Sequence, residues 1–177
     1  MSRVSLSLAA VGLAVLPAVA AIPEPAGLSS VIRASAGEEP AFRLSANGVQ
    51  IFECRPSLTQ ANAFGWSFVA PDATLYEGAR SVGRHATANH WESTVDRTSV
   101  SGVTRASQPA GAGNLPWVLM RAIPAGEDGM FEGVTSIQRV NTSGGVAPAS
   151  GCGADTVGAE MRVAFTADYY FYKRRGT

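Results

Sequence analysis

In the last stretch of the chain Met161, Val163, Phe165, Ala167, Tyr169 and Phe171 alternate with Arg162, Ala164, Thr166, Asp168, Tyr170 and Tyr172. A helix turns each successive side chain by about 100° and would scatter the first set around its whole circumference. A strand sends alternate side chains to opposite faces. The spacing from Ala159 to Tyr172 therefore predicts a long strand with one buried face. The same period puts Phe64, Trp66 and Phe68 on one side of another strand. Further strands are expected at Gly48–Cys54, Ala73–Glu77, His90–Asp96, Val100–Arg105, Trp117–Ala122 and Gly133–Asn141. Trp117 to Met120 is unbroken apolar sequence, which suits a strand covered on both faces. Turn signals lie at Gly78, Gly83, Pro109–Asn114, Pro124–Gly129 and Ser143–Gly153. Seven or more short strands at such intervals imply an all-β, mainly antiparallel fold, a single-domain sandwich or barrel.

The start of the chain has a different character. Arg3, an apolar run from Leu6 to Leu16 and then Ala18-Val19-Ala20 have the order of a signal peptide, with cleavage expected after Ala20. The run is too short to cross about 30 Å of hydrocarbon as a helix, and no later stretch is longer, so no membrane span is expected in the mature chain. Residues 1–20 are thus read as a leader and 21–46, with Pro23, Pro25 and Pro40, as an extended lead-in carrying at most one short helix near Leu28 to Ile32. Residues 47–177 are read as one β domain. Basic and acidic residues number 14 each. Losing Arg3 with the leader leaves one acid in excess, so no overall field attracts nucleic acid. The basic run Lys173-Arg174-Arg175 reads as a solvated tail. Both cysteines, Cys54 and Cys152, fall in the exported part, and an oxidising compartment, periplasmic or extracellular, would pair them into one disulfide that closes the domain.

The segments Gly48-Val-Gln-Ile-Phe-Glu-Cys54, Pro71-Asp-Ala-Thr-Leu75, Gly83-Arg-His85, Trp91-Glu92, Gly133-Val-Thr-Ser-Ile-Gln-Arg-Val140, Gly144-Gly145, Cys152 and Tyr170-Phe-Tyr172 resemble the uncharacterised family numbered 3455 among domains of unknown function. The likeness spans about residues 45 to 172. The family comprises secreted proteins of bacteria and fungi. A malate dehydrogenase label attached to some fungal members finds no support in the residues. A dinucleotide site needs G-x-G-x-x-G between a strand and a helix, and Gly151-Cys-Gly153-Ala-Asp-Thr156 lacks the third glycine and precedes a strand. Where members of the family tend to carry Gly-Pro between the positions of His85 and Trp91, this chain has Ala86-Thr-Ala-Asn-His90.

Versatile side chains gather at Asp72, His85, His90, Glu92 and Asp96. If residues 86–89 form a hairpin turn, His85 and His90 stand opposite each other. His85, Trp91 and Glu92 are the expected ligand-binding residues, because they match the family pattern and lie beside a turn. The competing reading makes them solvated turn residues. Trp66 and Trp117 lie in apolar strands and read as core, whereas Trp91, between His90 and Glu92, reads as more open. There is no G-x-S-x-G, H-E-x-x-H or P-loop pattern, and two cysteines 98 positions apart have no zinc-ligand spacing. No cofactor or metal is expected. Three functions stay open: a binding module for a small molecule or glycan, a structural or surface protein without ligand, and a His/Glu-dependent, metal-assisted hydrolase. The reading leans away from an enzyme.

Overall fold

The computed structural model describes residues 21–126 and 128–176. The expected leader, residues 1–20, lies outside the described residues. Those described form eight strands: β1 (Glu38–Pro56), β2 (Phe64–Glu77), β3 (Arg80–Thr87), β4 (His90–Ser93), β5 (Ser99–Gln108), β6 (Trp117–Pro124), β7 (Ser136–Gly144) and β8 (Glu160–Arg174). Each pairs antiparallel with the next, and β1 pairs back with β8 from Glu38↔Arg174 to Glu53↔Glu160, so the sheet closes as a barrel. Of the two all-β architectures the sequence allowed, the barrel forms. Cys54 and Cys152 are joined, with their Cα atoms 5.3 Å apart.

The inside is packed rather than open, as an eight-stranded barrel permits. Leu44, Leu75, Trp91, Met120, Tyr169 and Phe171 are all buried within it. Phe42 stacks on Phe171 with ring centroids 4.7 Å apart, and Phe131 leans on both. Gly48 sits where β1 is held on both sides, opposite Ala73 of β2 and Phe165 of β8. A Cβ there would lie 2.2 Å from the Asp72 carbonyl oxygen and 2.4 Å from the Ala73 Cα. Only a residue without a side chain lets the two backbones approach so closely.

A second, smaller core lies on the outer wall. Leu28 and Ile32, around the 3-10 turn Ser30–Ile32, cover Val140, Tyr170 and Tyr172, with Ile22, Trp117 and Leu119 at the margin. The segment read as a lead-in is therefore the outer cover of the wall, and β1 begins nine residues before Asn47, where the domain was expected to start. This cover explains a departure in β8. Its N-terminal half alternates as expected, but Tyr169 to Tyr172 are all buried, two facing the barrel interior and two the cover. Trp117 and Leu119 likewise face the cover while Val118 and Met120 face inward, so β6 is covered on both sides. The Gln138 amide nitrogen donates to the Ile32 carbonyl at 2.5 Å, and its amide oxygen accepts from the Tyr172 hydroxyl at 2.9 Å. Gln138 is wholly buried, and these bonds satisfy polar groups that water cannot reach. The basic run is not a tail, since Lys173 and Arg174 end β8, paired with Glu39 and Glu38.

Candidate functional site

β3 and β4 are joined by a two-residue turn, Ala88-Asn89, with Thr87 opposite His90. The Gly-Pro pair is not needed, because Asn89 itself takes the left-handed backbone at φ 50°, a conformation Asn tolerates better than most residues. Because side chains alternate along a strand, the residues of this hairpin divide between two faces. His85 and Trp91 point inward and Arg84 and Glu92 outward. Glu92 accepts from Arg84 Nε at 3.0 Å and Nη2 at 2.8 Å on the outer surface, which holds its carboxyl below the usual range. The structure thus brings His85 and Trp91 together and leaves Glu92 apart from them.

His85 is only 3% exposed. Its ring lies flat against Trp91, with centroids 4.8 Å apart and an interplanar angle of 6°, and meets the edge of Tyr169 at 5.5 Å. Trp91, expected to be the open tryptophan, is 1% exposed, whereas Trp66 and Trp117 are only half-buried. The inversion follows from the barrel. Trp91 projects into its interior, Trp117 faces the outer cover, and Trp66 reaches the Ser150 carbonyl through its indole N–H at 2.9 Å. His85 Nδ1 is 2.7 Å from the His90 carbonyl oxygen. A carbonyl only accepts, so Nδ1 carries the proton and Nε2 keeps a free lone pair. Burial pushes the His85 pKa from 6.5 down to about 4, with the His90 carbonyl opposing and Arg139 assisting. The imidazole is accordingly neutral near pH 7.

His85 lines a cavity of about 380 Å³ at the barrel end that holds the β3–β4 turn. The walls are Phe52, Phe68, Pro71, Leu115, Val146 and Ala147, and the polar members besides His85 are Gln50, Asn89 and Arg139. Arg139 stands opposite Tyr169 in the β7–β8 register and is half-buried. Its Nε and Nη2 donate to the Pro116 carbonyl at 3.2 and 3.0 Å, and no carboxylate pairs with it among the described residues. Against His85 lie two buried polar atoms, Trp91 Nε1 and the Tyr169 hydroxyl, that make no hydrogen bond of ordinary geometry among the described residues. Burial raises the pKa of that phenol.

The remaining members of the expected cluster go elsewhere. Asp72 pairs with Arg162, His90 Nδ1 is 3.0 Å from the Ser101 hydroxyl, and Asp96 accepts from Thr98 and from the Met130 amide. Among the described residues no three His, Cys, Asp or Glu side chains come close enough to hold a metal ion. Nor is any described helix long and apolar enough to cross a membrane. Gln50 and Arg139 escaped the sequence reading. Both fall within segments quoted for the family likeness, and both keep the regular inward phase of their strands, Gln50 with Ala46, Phe52 and Cys54 and Arg139 with Ile137. Alternation places them on a face, but a polar residue there does not by itself show that the face opens on a cavity.

A family model described as "Protein of unknown function (DUF3455)" matches residues 35–173. That range begins three residues before β1 and ends one residue before the end of β8, so it is coextensive with the barrel. No curated protein and no solved structure matches the chain.

Proposed function

The chain belongs to that family of proteins of unknown function, membership brings no activity with it, and we propose from the geometry that the barrel is a binding module for a small amphipathic acid. The observation that carries this reading is Arg139. A half-buried guanidinium in a cavity walled by Phe52, Phe68, Pro71 and Leu115 has no carboxylate beside it, and a cation shielded on one side in this way is stabilised by an anion that enters with a ligand. The apolar walls favour an aromatic or aliphatic body, as in most small-molecule sites. The neutral His85 adds an acceptor at Nε2, and Trp91, stacked behind it, holds the ring in place. A glycan would need more donors and acceptors than Gln50, His85, Asn89 and Arg139 provide. Glu92 has no part in this site, and His85 with Glu92 on the opposite face does not make an acid/base pair.

Calorimetric titration with aromatic and medium-chain aliphatic acids, each beside its primary amide, tests the proposal. The acids are expected to bind at least tenfold more tightly than the amides. Arg139→Gln is expected to remove that preference, a loss of about tenfold for the acid, in the range of one charge-assisted hydrogen bond. Equal affinity for acid and amide, or no binding of either, would sink the reading.

Export belongs to the same proposal. Residues 1–20 have the order of a signal peptide, and the Cys54–Cys152 bridge suits an oxidising compartment. The mature protein recovered from the periplasm or medium is expected to begin at Ala21 or Ile22 on N-terminal sequencing. Intact Met1 in that fraction would overturn it.

A further inference from the structure

We propose that a second site, on the outer wall away from the mouth, binds a small ligand through a phosphate or sulfate group. A groove of about 630 Å³ runs there between residues 33–38 and the faces of β5 and β6, near the end of β8 and the start of β7. Four arginines from four separate stretches line it: Arg33, Arg105, Arg121 and Arg174. The one carboxylate among its lining residues is Glu38, which already accepts from the Ser136 hydroxyl at 2.8 Å and from the Ser35 amide at 2.9 Å. In a chain whose charges balance overall, this groove holds a local excess of positive charge.

Arg105 and Arg121 carry the argument. Arg43, Arg55, Arg80, Arg84 and Arg162 each have a carboxylate within 4 Å, as does Arg33, whereas Arg105 and Arg121 have neither an ion pair nor a side-chain hydrogen bond among the described residues. They sit on adjacent strands. Arg121 is opposite Val103, and Arg105 is the extra residue of the bulge between Thr104 and Ala106. A bulge re-aims the side chain it carries. Two forked guanidinium groups turned toward one groove, without counter-charge, match the several oxygens of a phosphate or sulfate group. Arg33, itself paired with Glu24, and Arg174 add positive charge at the groove's other border. The groove is distinct from the mouth cavity and shares no lining residue with it.

The test is calorimetric titration of the mature chain at low ionic strength with inorganic pyrophosphate and, separately, with a fully sulfated disaccharide. Binding of either probe is expected, weakened by salt because the pairing is exposed. The double variant Arg105→Gln, Arg121→Gln is expected to bind about tenfold more weakly, while Arg80→Gln, which removes one surface charge elsewhere, leaves affinity unchanged. Binding of pyrophosphate alone assigns the groove to phosphate, and binding of the disaccharide alone assigns it to a sulfated saccharide. The proposal is overturned if neither probe binds, if the double variant binds as tightly as the parent, or if Arg80→Gln weakens binding as much. Thermal melting of each variant verifies that it is folded. Binding at the mouth is read separately through Arg139.

Discussion

Replacing Cys54 and Cys152 together by serine is expected to lower stability by about 4 kcal/mol. The bridge closes a loop over a sequence separation of 98 residues, and constraining so long a loop removes much of the freedom of the unfolded chain. Its native neighbourhood is ordered by other means too. The Cys54 amide donates to the Ala159 carbonyl and the Gly158 amide to the Cys54 carbonyl, both at 2.9 Å, so the ladder near Cys54 survives the loss of sulfur. What the bridge adds is a hold on residues 145–159, whose first residues, Gly145, Val146 and Ala147, form one wall of the mouth. Denaturant titration of the double variant measures the first effect, and amide hydrogen exchange across 145–159 the second. Stability within about 1 kcal/mol of the parent would contradict the loop-closure argument. Unchanged exchange would show that the loop is held by its own contacts.

Acidification from pH 7 to pH 4 is expected to remove stability on the order of 3 kcal/mol through His85 alone. In the unfolded chain the imidazole takes up a proton as pH falls through 6.5, whereas in the fold it stays neutral until about 4, because burial disfavours its charge. Between those values the unfolded state binds more protons, so stability falls as pH falls. The contribution is fully present above about 6.5 and is exhausted below about 4. Asp96 acts in a lower window. Desolvation of its carboxyl would raise the pKa, but hydrogen bonds from the Met130 amide and from the Thr98 amide and hydroxyl hold it well below the ordinary range. Its contribution is therefore lost only at more acidic pH. Stability measured by denaturant at pH 7 and pH 4.5 should differ markedly for the parent and much less for His85→Gln. An equal pH dependence in both would refute the assignment to His85.

The pattern of β8 was legible because one face of a strand needs nothing but its own alternation. What covers the other face is not written in the strand. Tyr170 and Tyr172 are buried by Leu28 and Ile32, more than a hundred residues away, in a segment whose prolines suggested only an extended lead-in. β3 escaped notice because Arg80 to Thr87 contains Val82 as its one large aliphatic side chain. Gly83, which looked like a turn, lies mid-strand, where a Cβ would meet the Glu92 carbonyl oxygen at 2.5 Å. The family pattern and the nearby turn point to His85, Trp91 and Glu92 alike, and the hairpin argument sets His85 opposite His90, whereas Thr87 takes that place. Glu92, one position on from Trp91, lies on the opposite face of the strand, which a motif match does not reveal. Arg139 comes from β7, and only closure of the barrel brings it beside His85.

The seam between β1 and β8 has a consequence for how the protein is made. Synthesis runs from the N-terminus, so β1 emerges more than a hundred residues before the strand that pairs with it from Glu38 to Glu53. Until then β1 is an edge strand, a row of unpaired backbone donors and acceptors open to any other extended chain. Neither the barrel nor the sulfur bridge can close before residues 152–174 arrive, so closure waits for all the other strands and is non-local, the kind of pairing that folds slowly. The growing chain is at its most aggregation-prone just before β8 arrives, and in cells its yield should depend on factors that shield exposed strand edges more than on the strength of any single contact in the finished barrel.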